Sequence, residues 1–266
     1  MEKQNLIEHL RKGRSYNDIA TLEKCSKSKV GFWIKKHNIK FESKQNRDYQ
    51  KNVNHKLFSK IDDINLAYIT GFILGDGAIG SNYDIDLGAS LSDSSVLESI
   101  DAAIPWECRI TYDKTLDREA RKFPRCRLGI RSRGVGKDLT KHFGGRLKKT
   151  RHTPRVSKYL EPYLLAGFFD ADGCITWGHR KDRNRVWQKV TFTAPIKILI
   201  GIQKILLKYE ISTSIRPKSN DISIIEFASK KDVIKFYRML PNDGIRLKRK
   251  VEKFDKLIEV FGLETK

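Results

Sequence analysis

The chain has 266 residues, of which 53 are Lys or Arg and 32 are Asp or Glu, so that its formal net charge is +21. The basic excess runs along the whole chain, which indicates broad surfaces for a polyanion and leaves a generally basic, ribosomal-type protein as the plain alternative. Its 4 cysteines lack zinc-type spacing, and no apolar run approaches the roughly 18 residues that span a bilayer, which excludes a disulfide-rich secreted scaffold, a cysteine zinc site and a membrane protein.

Residues 1–40 have the pattern of a small helical module. Leu6 and Leu10 share one face of a first helix, and a second helix carries Ile19. A third helix, capped by Ser26 or Ser28, has an apolar face and an outward row of lysines formed by Lys27, Lys29, Lys35 and Lys36. This arrangement resembles a helix-turn-helix DNA-binding domain, whose third helix enters the major groove. A simple three-helix packing unit is the alternative.

Residues 41–61 are basic and show no apolar periodicity, which predicts an extended linker. Such a segment either is a solvated tether or follows the phosphate backbone between two DNA-bound modules. The sequence does not distinguish these two possibilities.

Residues 62–158 and 159–266 are predicted to be two copies of one unit, about 100 residues apart. Each copy has the pattern helix, two strands, helix, two strands, helix, and each ends near an Arg-Leu-Lys triplet. Arg146-Leu147-Lys148 belongs to the first copy and Arg246-Leu247-Lys248 to the second. A duplicated half-site implies a protein with pseudo-two-fold symmetry.

Two predicted strands combine one apolar face with one basic face. Val190 and Phe192 alternate with polar residues in the second copy, and arginines up to Arg133 alternate with apolar residues in the first. A basic strand ribbon is one of the few elements that fit the major groove, although a charged strand face is more often simply solvated. The expected DNA contacts in the two copies are Arg125, Arg127, Arg131, Arg180, Arg183, Arg185, Trp187, Lys189, Arg216 and Lys218.

The first helix of each copy ends in Asp-Gly, at Asp76-Gly77 and at Asp172-Gly173. A helix C-terminus carries partial negative charge and favours cations, so an aspartate there indicates a chemical role when it occurs twice at matched positions. A single Asp-Gly would more simply end a helix. The two helices also share small residues four positions apart, which lets two backbones pack closely; these are Gly71 and Gly75 in one helix and Gly167 and Ala171 in the other.

If the helices pack through these faces, Asp76 and Asp172 lie side by side. Adjacent carboxylates repel unless a proton or cation lies between them, and oxygen ligands suit Mg²⁺ or Mn²⁺. A bound metal could polarise a phosphodiester and stabilise its leaving oxygen.

The stretch from Leu165 to Gly173 closely resembles the motif of LAGLIDADG homing endonucleases in their single-chain, two-repeat form, and the stretch from Ile69 to Gly77 is a looser match. The resemblance covers about residues 62–266. It implies an α+β fold with two αββαββα repeats that form a pseudo-two-fold DNA-binding saddle, next to a small all-α N-terminal module. It also implies metal binding by Asp76, Asp172 and the backbone carbonyls of Gly75 and Ala171, with Lys148 and Lys248 beside the metal-water network as further catalytic residues.

The resemblance leaves some roles open. Asp170 stands at a motif position that usually points away from the metals, so we do not expect it to be catalytic, and Asp93 and Gln188 are only weak candidates for organising water. The leading function is a metal-dependent endodeoxyribonuclease that makes double-strand breaks at a long asymmetric target. The alternatives are an intron RNA maturase and a non-cleaving DNA-binding regulator. We expect a monomer, double-stranded DNA or intron RNA as partner, no membrane association, and a cytoplasmic or organellar location.

Overall fold

The computed structural model describes residues 2–11, 16–39, 53–106, 108–113, 125–180 and 185–265. The chain divides into two compact units, residues 1–53 and 54–266. Within the described residues, no helix is both long and apolar enough to span a membrane.

The smaller unit contains three helices, α1 (Lys3–Arg11), α2 (Tyr16–Leu22) and α3 (Lys27–Lys36). Its core consists of Leu6, Leu10, Ile19, Ala20 and Val30, all buried. The Oγ of Ser26 accepts a hydrogen bond from the Lys29 backbone N–H and so caps α3, which selects Ser26 over Ser28 as the cap.

The larger unit contains the two repeats expected from the sequence, and the helix-strand-strand order holds in both. The first repeat comprises α4 (Ile64–Asp76), β1 (Ala78–Ile79), β2 (Ile85–Ser90), α5 (Ser94–Ala103), β3 (Arg109–Asp113), β4 (Arg125–Ile130) and α6 (Arg133–Phe143). The second comprises α7 (Glu161–Asp172), β5 (Gly173–Arg180), β6 (Arg185–Ala194), α8 (Ile196–Lys208), β7 (Ser214–Ser219), β8 (Ile222–Phe227) and α9 (Lys230–Met239), followed by an additional helix, α10 (Lys248–Val260).

The strands form two four-stranded antiparallel sheets with equivalent topology. One sheet has the order β1-β2-β4-β3, and the other has the order β5-β6-β8-β7. Residues of β6 alternate between a buried face and a more exposed face, as its period-two pattern predicts. The fold class predicted from the sequence is therefore confirmed.

Helices α4 and α7 pack directly against each other and join the two repeats. A Cβ added at Gly71 would lie 2.0 Å from the Leu164 carbonyl oxygen, and one added at Gly167 would lie 2.0 Å from the Tyr68 carbonyl oxygen. The two glycines therefore bring the backbones of the two helices into contact. The small-residue faces recognised in the sequence are the faces through which the helices pack.

Two sequence-based boundaries differ from the structure. Residues 54–61, assigned to the linker, lie with the larger unit: Phe58 is fully buried and its carbonyl oxygen is 2.8 Å from His142 Nε2. The rest of the predicted linker, from residue 41 to residue 52, lies outside the described residues. The alternating arginine strand ends at Ile130, because Ser132 caps α6 and Arg133 is the first residue of that helix.

Candidate metal and nucleic-acid site

The carboxylates of Asp76 and Asp172 stand at the last residues of the paired helices α4 and α7. At Gly75, the residue before Asp76, the helices nearly touch, since a Cβ there would lie 2.5 Å from Ala171 Cβ and 3.4 Å from Asp172 Oδ2. The close packing therefore brings the two acids to one place, each contributed by a different repeat. Gly75 and Ala171 lie in the last helical turns, where carbonyl oxygens lack intrahelical partners.

The two acids influence each other electrostatically. The pKa of Asp76 is raised, first by removal from water at the helix ends and then by the negative charge of Asp172, while Lys148 and Lys250 act in the opposite direction. Asp76 nevertheless remains exposed and Asp172 is half-buried, so a ligand can reach both. A divalent cation would relieve the repulsion between them.

Lys148 crosses from one repeat to the acid of the other. It begins a 3-10 turn, Lys148–Thr150, at the end of the first repeat, and its Nζ donates a hydrogen bond of 2.6 Å to Oδ2 of Asp172 in the second repeat. The structure thus places Lys148 beside the acid pair, where the sequence predicted a basic residue.

Lys248 is placed differently from its sequence counterpart. Its exposed side chain lines a cavity with Tyr237, Leu240 and Asp255, and among the described residues it has no hydrogen bond or ion pair with Asp76 or Asp172. Arg249, the next residue, lines the cavity that contains Asp76. The equivalence with Lys148 fails because Lys248 begins the regular helix α10, in which consecutive side chains point in directions about 100° apart.

Arg249 is held in that cavity by Asp93, a buried acid of the first repeat. The Arg249 Nε lies 3.0 Å from Oδ1 and 2.9 Å from Oδ2 of Asp93. Ser90, Gly88 and Asp76 line the same cavity. Each acid of the pair therefore has a basic residue from the opposite repeat nearby, but Lys148 contacts Asp172 directly whereas Arg249 is bound to Asp93.

Two buried cations that the sequence did not reveal bind the C-terminal ends of α4 and α7. The Arg151 Nη1 donates to the carbonyl oxygens of Ile73 (3.0 Å) and Gly77 (2.8 Å). The Lys250 Nζ donates to the carbonyl oxygens of Phe169 (2.6 Å), Asp170 (2.8 Å) and Gly173 (2.7 Å). Burial lowers the pKa of Arg151 to about 10 and that of Lys250 to about 8.

These cations account for the unusual acids at the helix ends. A helix C-terminus is stabilised by positive charge, and here the charge comes from a distant buried side chain instead of from the helix itself. Asp76 and Asp172 therefore stand at helix ends whose negative charge is already balanced by Arg151 and Lys250.

Asp170 has a structural position, as expected. It is buried, and its Oδ2 accepts hydrogen bonds from Tyr68 Oη (2.9 Å), the Leu247 backbone N–H (2.8 Å) and Arg246 Nε (3.3 Å). It therefore fastens the segment before α10 to the paired helices. Gln188, the other weak candidate, donates to the Ala228 carbonyl oxygen, and its amide is not directed to the acids by any contact among described residues.

The predicted DNA contacts of the second repeat lie on one face of its sheet. Arg185, Trp187 and Lys189 alternate along β6, and Arg180 pairs in register with Arg185. On β7, Arg216 lies on the same face, and Lys218 lies at a register shift between Pro217 and Ser219. Trp187 is 43% exposed, which leaves an aromatic surface among these basic groups. Arg183 lies outside the described residues.

Some of the basic residues on the sheets or directly after a strand are partly neutralised. Arg131 pairs with Asp86 at 2.7 Å, and Lys189 and Arg216 both approach Glu226, at 3.4 Å and 3.2 Å. Arg125 and Arg127 are exposed on β4. In the smaller unit, Lys27, Lys29, Lys35 and Lys36 are exposed on α3. Charge is thus available on both sheets and on α3.

Comparison with known proteins gives a consistent assignment. A family model for a LAGLIDADG-like domain matches residues 161–241. The I-LtrWI LAGLIDADG homing endonuclease, solved bound to target DNA, is 17% identical with a TM-score of 0.51, over 76% of this chain and 92% of that chain. The homing endonuclease I-WcaI, solved bound to its DNA recognition sequence, is 18% identical with a TM-score of 0.50, over 77% and 92%. A search of curated proteins finds no significant match.

At these identities the structural likeness establishes the fold, and the family model identifies the second repeat. The matched region begins at Glu161, the first residue of α7, and includes the whole β5–β8 sheet. Residues 161–241 therefore form a LAGLIDADG-like domain, and the chain has the two-repeat fold of single-chain LAGLIDADG homing endonucleases.

Proposed function

We propose that this protein is a divalent-metal-dependent DNA endonuclease that makes double-strand breaks at a long asymmetric target. The observation that carries the proposal is the acid pair at the α4–α7 interface, with Asp76 from one repeat and Asp172 from the other. Each acid has a basic residue of the opposite repeat nearby, Lys148 or Arg249. Two such half-sites at one interface suit the cleavage of two antiparallel strands.

The residues present fit a divalent cation. The described residues hold no cluster of three or more His, Cys, Asp or Glu side chains, so a metal here would depend on the two carboxylates, on backbone carbonyls and on water. That all-oxygen, partly hydrated donor set suits Mg²⁺ or Mn²⁺, with Gly75 and Ala171 supplying the carbonyls. When bound, the cation would supply positive charge that polarises the scissile phosphodiester.

The basic residues complete this chemistry. The Lys148 ammonium, 2.6 Å from Asp172, is within reach of a phosphate or water bound at that carboxylate and can stabilise developing negative charge there. Arg249 lines the cavity that contains Asp76, and its two bonds to Asp93 fix its guanidinium. Their different partners predict that the two halves of the site are chemically unequal.

The exposed basic faces of the two sheets provide the DNA-binding surface. A net charge of +21 favours binding to phosphates, and the ribbon formed by β5 and β6 carries both cations and the indole of Trp187. The relatives I-LtrWI and I-WcaI were solved with DNA bound, which supports DNA over RNA as the partner. Two different sheets reading two half-sites predict an asymmetric target.

The decisive experiment incubates the full chain with a library of randomised duplexes in Mg²⁺, in Mn²⁺ or in EDTA, and sequences the cut ends. We expect cutting at one long motif in either metal and none in EDTA. Asp76→Asn and Asp172→Asn should still bind the selected duplex but leave at least one strand intact. Wild-type cutting by either variant would refute the metal-site assignment, and binding of structured RNA without any DNA cleavage would favour the maturase alternative.

A further inference from the structure

The outer face of α3 in the smaller unit has an unusual composition. Val30 is fully buried against the core, so the opposite side of the helix faces outward. That side carries Ser28, Gly31, Phe32 and Lys35, at the spacing i, i+3, i+4 and i+7 that places residues on one helical face. Phe32 lies at the centre of this face and is 58% exposed, whereas the side chain of its neighbour Trp33 packs partly against the core.

Gly31 is not explained by the fold of the unit. It lies in the interior of a helix, where glycine is less favourable than alanine, and no atom of the described residues lies within 4 Å of the place that a Cβ would occupy. Neither packing nor backbone conformation therefore requires a glycine here. The missing side chain leaves open space directly beside Phe32, which suits the close approach of an external molecule.

The charge of the helix indicates what that molecule is. The sequence of α3, KSKVGFWIKK, contains four lysines and no acidic residue. At 100° per residue, Lys29 and Lys36 flank the outer face on one side and Lys27 flanks it on the other. Cations on both sides of a face with an exposed aromatic ring match a groove that has phosphates along each wall and bases at its floor. An acidic protein surface would account for the lysines but not for the exposed ring.

We propose that Phe32 reads a thymine 5-methyl group in the DNA major groove, and that Gly31 allows the helix to approach the bases closely enough for this contact. The thymine methyl is the apolar feature of the major-groove edges, and a phenyl ring is a suitable partner for it. The inference rests on the proposed DNA target, and it assigns to the smaller unit a base preference of its own.

The test uses the methyl group itself as the variable. Two randomised duplex libraries are prepared, one with thymidine and one with deoxyuridine throughout, and both are selected with the full chain in a non-cleaving Asp172→Asn background. We expect the thymidine library to give a core motif and a second block of preferred bases that contains thymine. The uridine library should keep the core motif and lose the second block.

Variants then assign the effect to α3. Phe32→Ala should lose the second block on the thymidine library and weaken binding of the selected duplex by about 10-fold, within the range of a single base contact. Gly31→Ala should raise the thermal stability of the smaller unit, because alanine favours helix, yet weaken binding. Leu22→Ala removes a side chain that is 55% exposed on α2 and is the matched control, with an unchanged motif expected.

The outcomes separate this inference from the proposed function. An unchanged second block on the uridine library, or in Phe32→Ala, overturns the assignment of Phe32 while the core motif remains. If Gly31→Ala binds DNA as tightly as wild type, the close approach of the helix does not depend on Gly31, and that part of the proposal is wrong. If Phe32→Ala leaves binding unchanged and instead alters self-association, the exposed ring serves a protein contact and the proposal is wrong. Loss of the core motif on both libraries would instead count against the proposed function.

Discussion

Adding one methyl group at Gly167 should separate the two repeats and inactivate the site between them. The Cβ of Gly167→Ala would lie 2.0 Å from the Tyr68 carbonyl oxygen, 2.8 Å from the Tyr68 carbonyl carbon and 2.9 Å from the Phe72 nitrogen. All three atoms are backbone atoms, so no side-chain rotation can relieve the contact. Because real Cβ atoms essentially never approach within 3.0 Å, α4 and α7 must move apart by about 1 Å.

The size of the effect follows from this displacement. Overpacking costs about 1–3 kcal/mol, and the upper end applies where the opposing atoms are backbone. Alanine gains about 1 kcal/mol of helix propensity over glycine, which leaves a net loss of about 2 kcal/mol in the free energy of unfolding. For a unit of this size, that corresponds to a fall in Tm of roughly 4–8 °C. A displacement of about 1 Å between Asp76 and Asp172 should reduce the cleavage rate by about 100-fold.

Thermal unfolding and single-turnover cleavage of the selected duplex, measured on the same preparations, test this prediction. Gly71→Ala faces the Leu164 carbonyl oxygen at the same 2.0 Å and should behave alike. Gly88→Ala on β2 is the stability control, since no atom in the described part of the chain lies within 4 Å of its Cβ position, and its Tm should stay near that of wild type. Wild-type stability together with a wild-type rate in Gly167→Ala would refute the described helix interface.

Three further sets of changes test other parts of the structure. Lys148→Met and Arg249→Met should each slow cleavage by roughly 100-fold or more while shifting the salt slope of binding by only about one. On gels that resolve both DNA strands, the two variants should leave opposite strands uncut, and the control Lys248→Met should slow cleavage less. An equal loss of rate in all three variants would contradict the placement of Arg249. Lys250 has a pKa of about 8 in the folded chain and near the ordinary lysine value in the unfolded chain. Between about pH 8 and 10.5 the unfolded chain therefore binds more protons, and the free energy of unfolding rises with pH. In metal-free buffer the free energy of unfolding of wild type relative to Lys250→Met should therefore rise by up to roughly 3 kcal/mol across that range, and a pH-independent difference would show that this lysine is not desolvated. Removal of residues 1–53 should leave the larger unit folded and able to cleave, with weaker binding and a shallower salt dependence, whereas identical footprints for the full and shortened proteins would exclude DNA contact by the smaller unit.

The paired helices were predictable because their signal is local and repeated. The spacing of Gly71 and Gly75 determines which face can pack, and the same spacing at Gly167 and Ala171 identifies the partner helix. Strand β6 was predictable for the same reason, because an alternation of apolar and polar residues with a period of two can be recognised within a short segment. The site acids followed from their position at the helix ends.

The supporting cations were not predictable from the sequence. Arg151 and Lys250 are two of 53 basic residues, and an isolated arginine or lysine is normally interpreted as a surface group. Only the fold brings them under the helix ends, 78 residues from Ile73 in one case and 81 from Phe169 in the other. A search for basic residues near the end of each repeat could have found them as candidates, but not distinguished them from Lys148 and Lys248.

Arg249 was missed for a different reason. The alignment of the two Arg-Leu-Lys triplets assumes that equivalent residues adopt equivalent backbone conformations. The first triplet leads into a short 3-10 turn and the second into the thirteen-residue helix α10, so side-chain directions diverge immediately after the shared leucine. Of the two lysines that the repetition indicated, Lys148 contacts an acid of the pair, whereas Lys248 has no contact with either acid among the described residues.

The reach of Lys148 across to Asp172 has a consequence for recombination between related genes. A crossover in the segment between α6 and α7 would exchange whole repeats, yet the resulting chimera would combine the ammonium of one parent with the carboxylate of the other. Each parent's repeat would also have to accept the other's glycine face. Chimeric chains of this kind should therefore remain active mainly when the two parents share the packing surface of the paired helices and the length of the turn that presents the lysine. The DNA targets of the parents would not matter for this requirement.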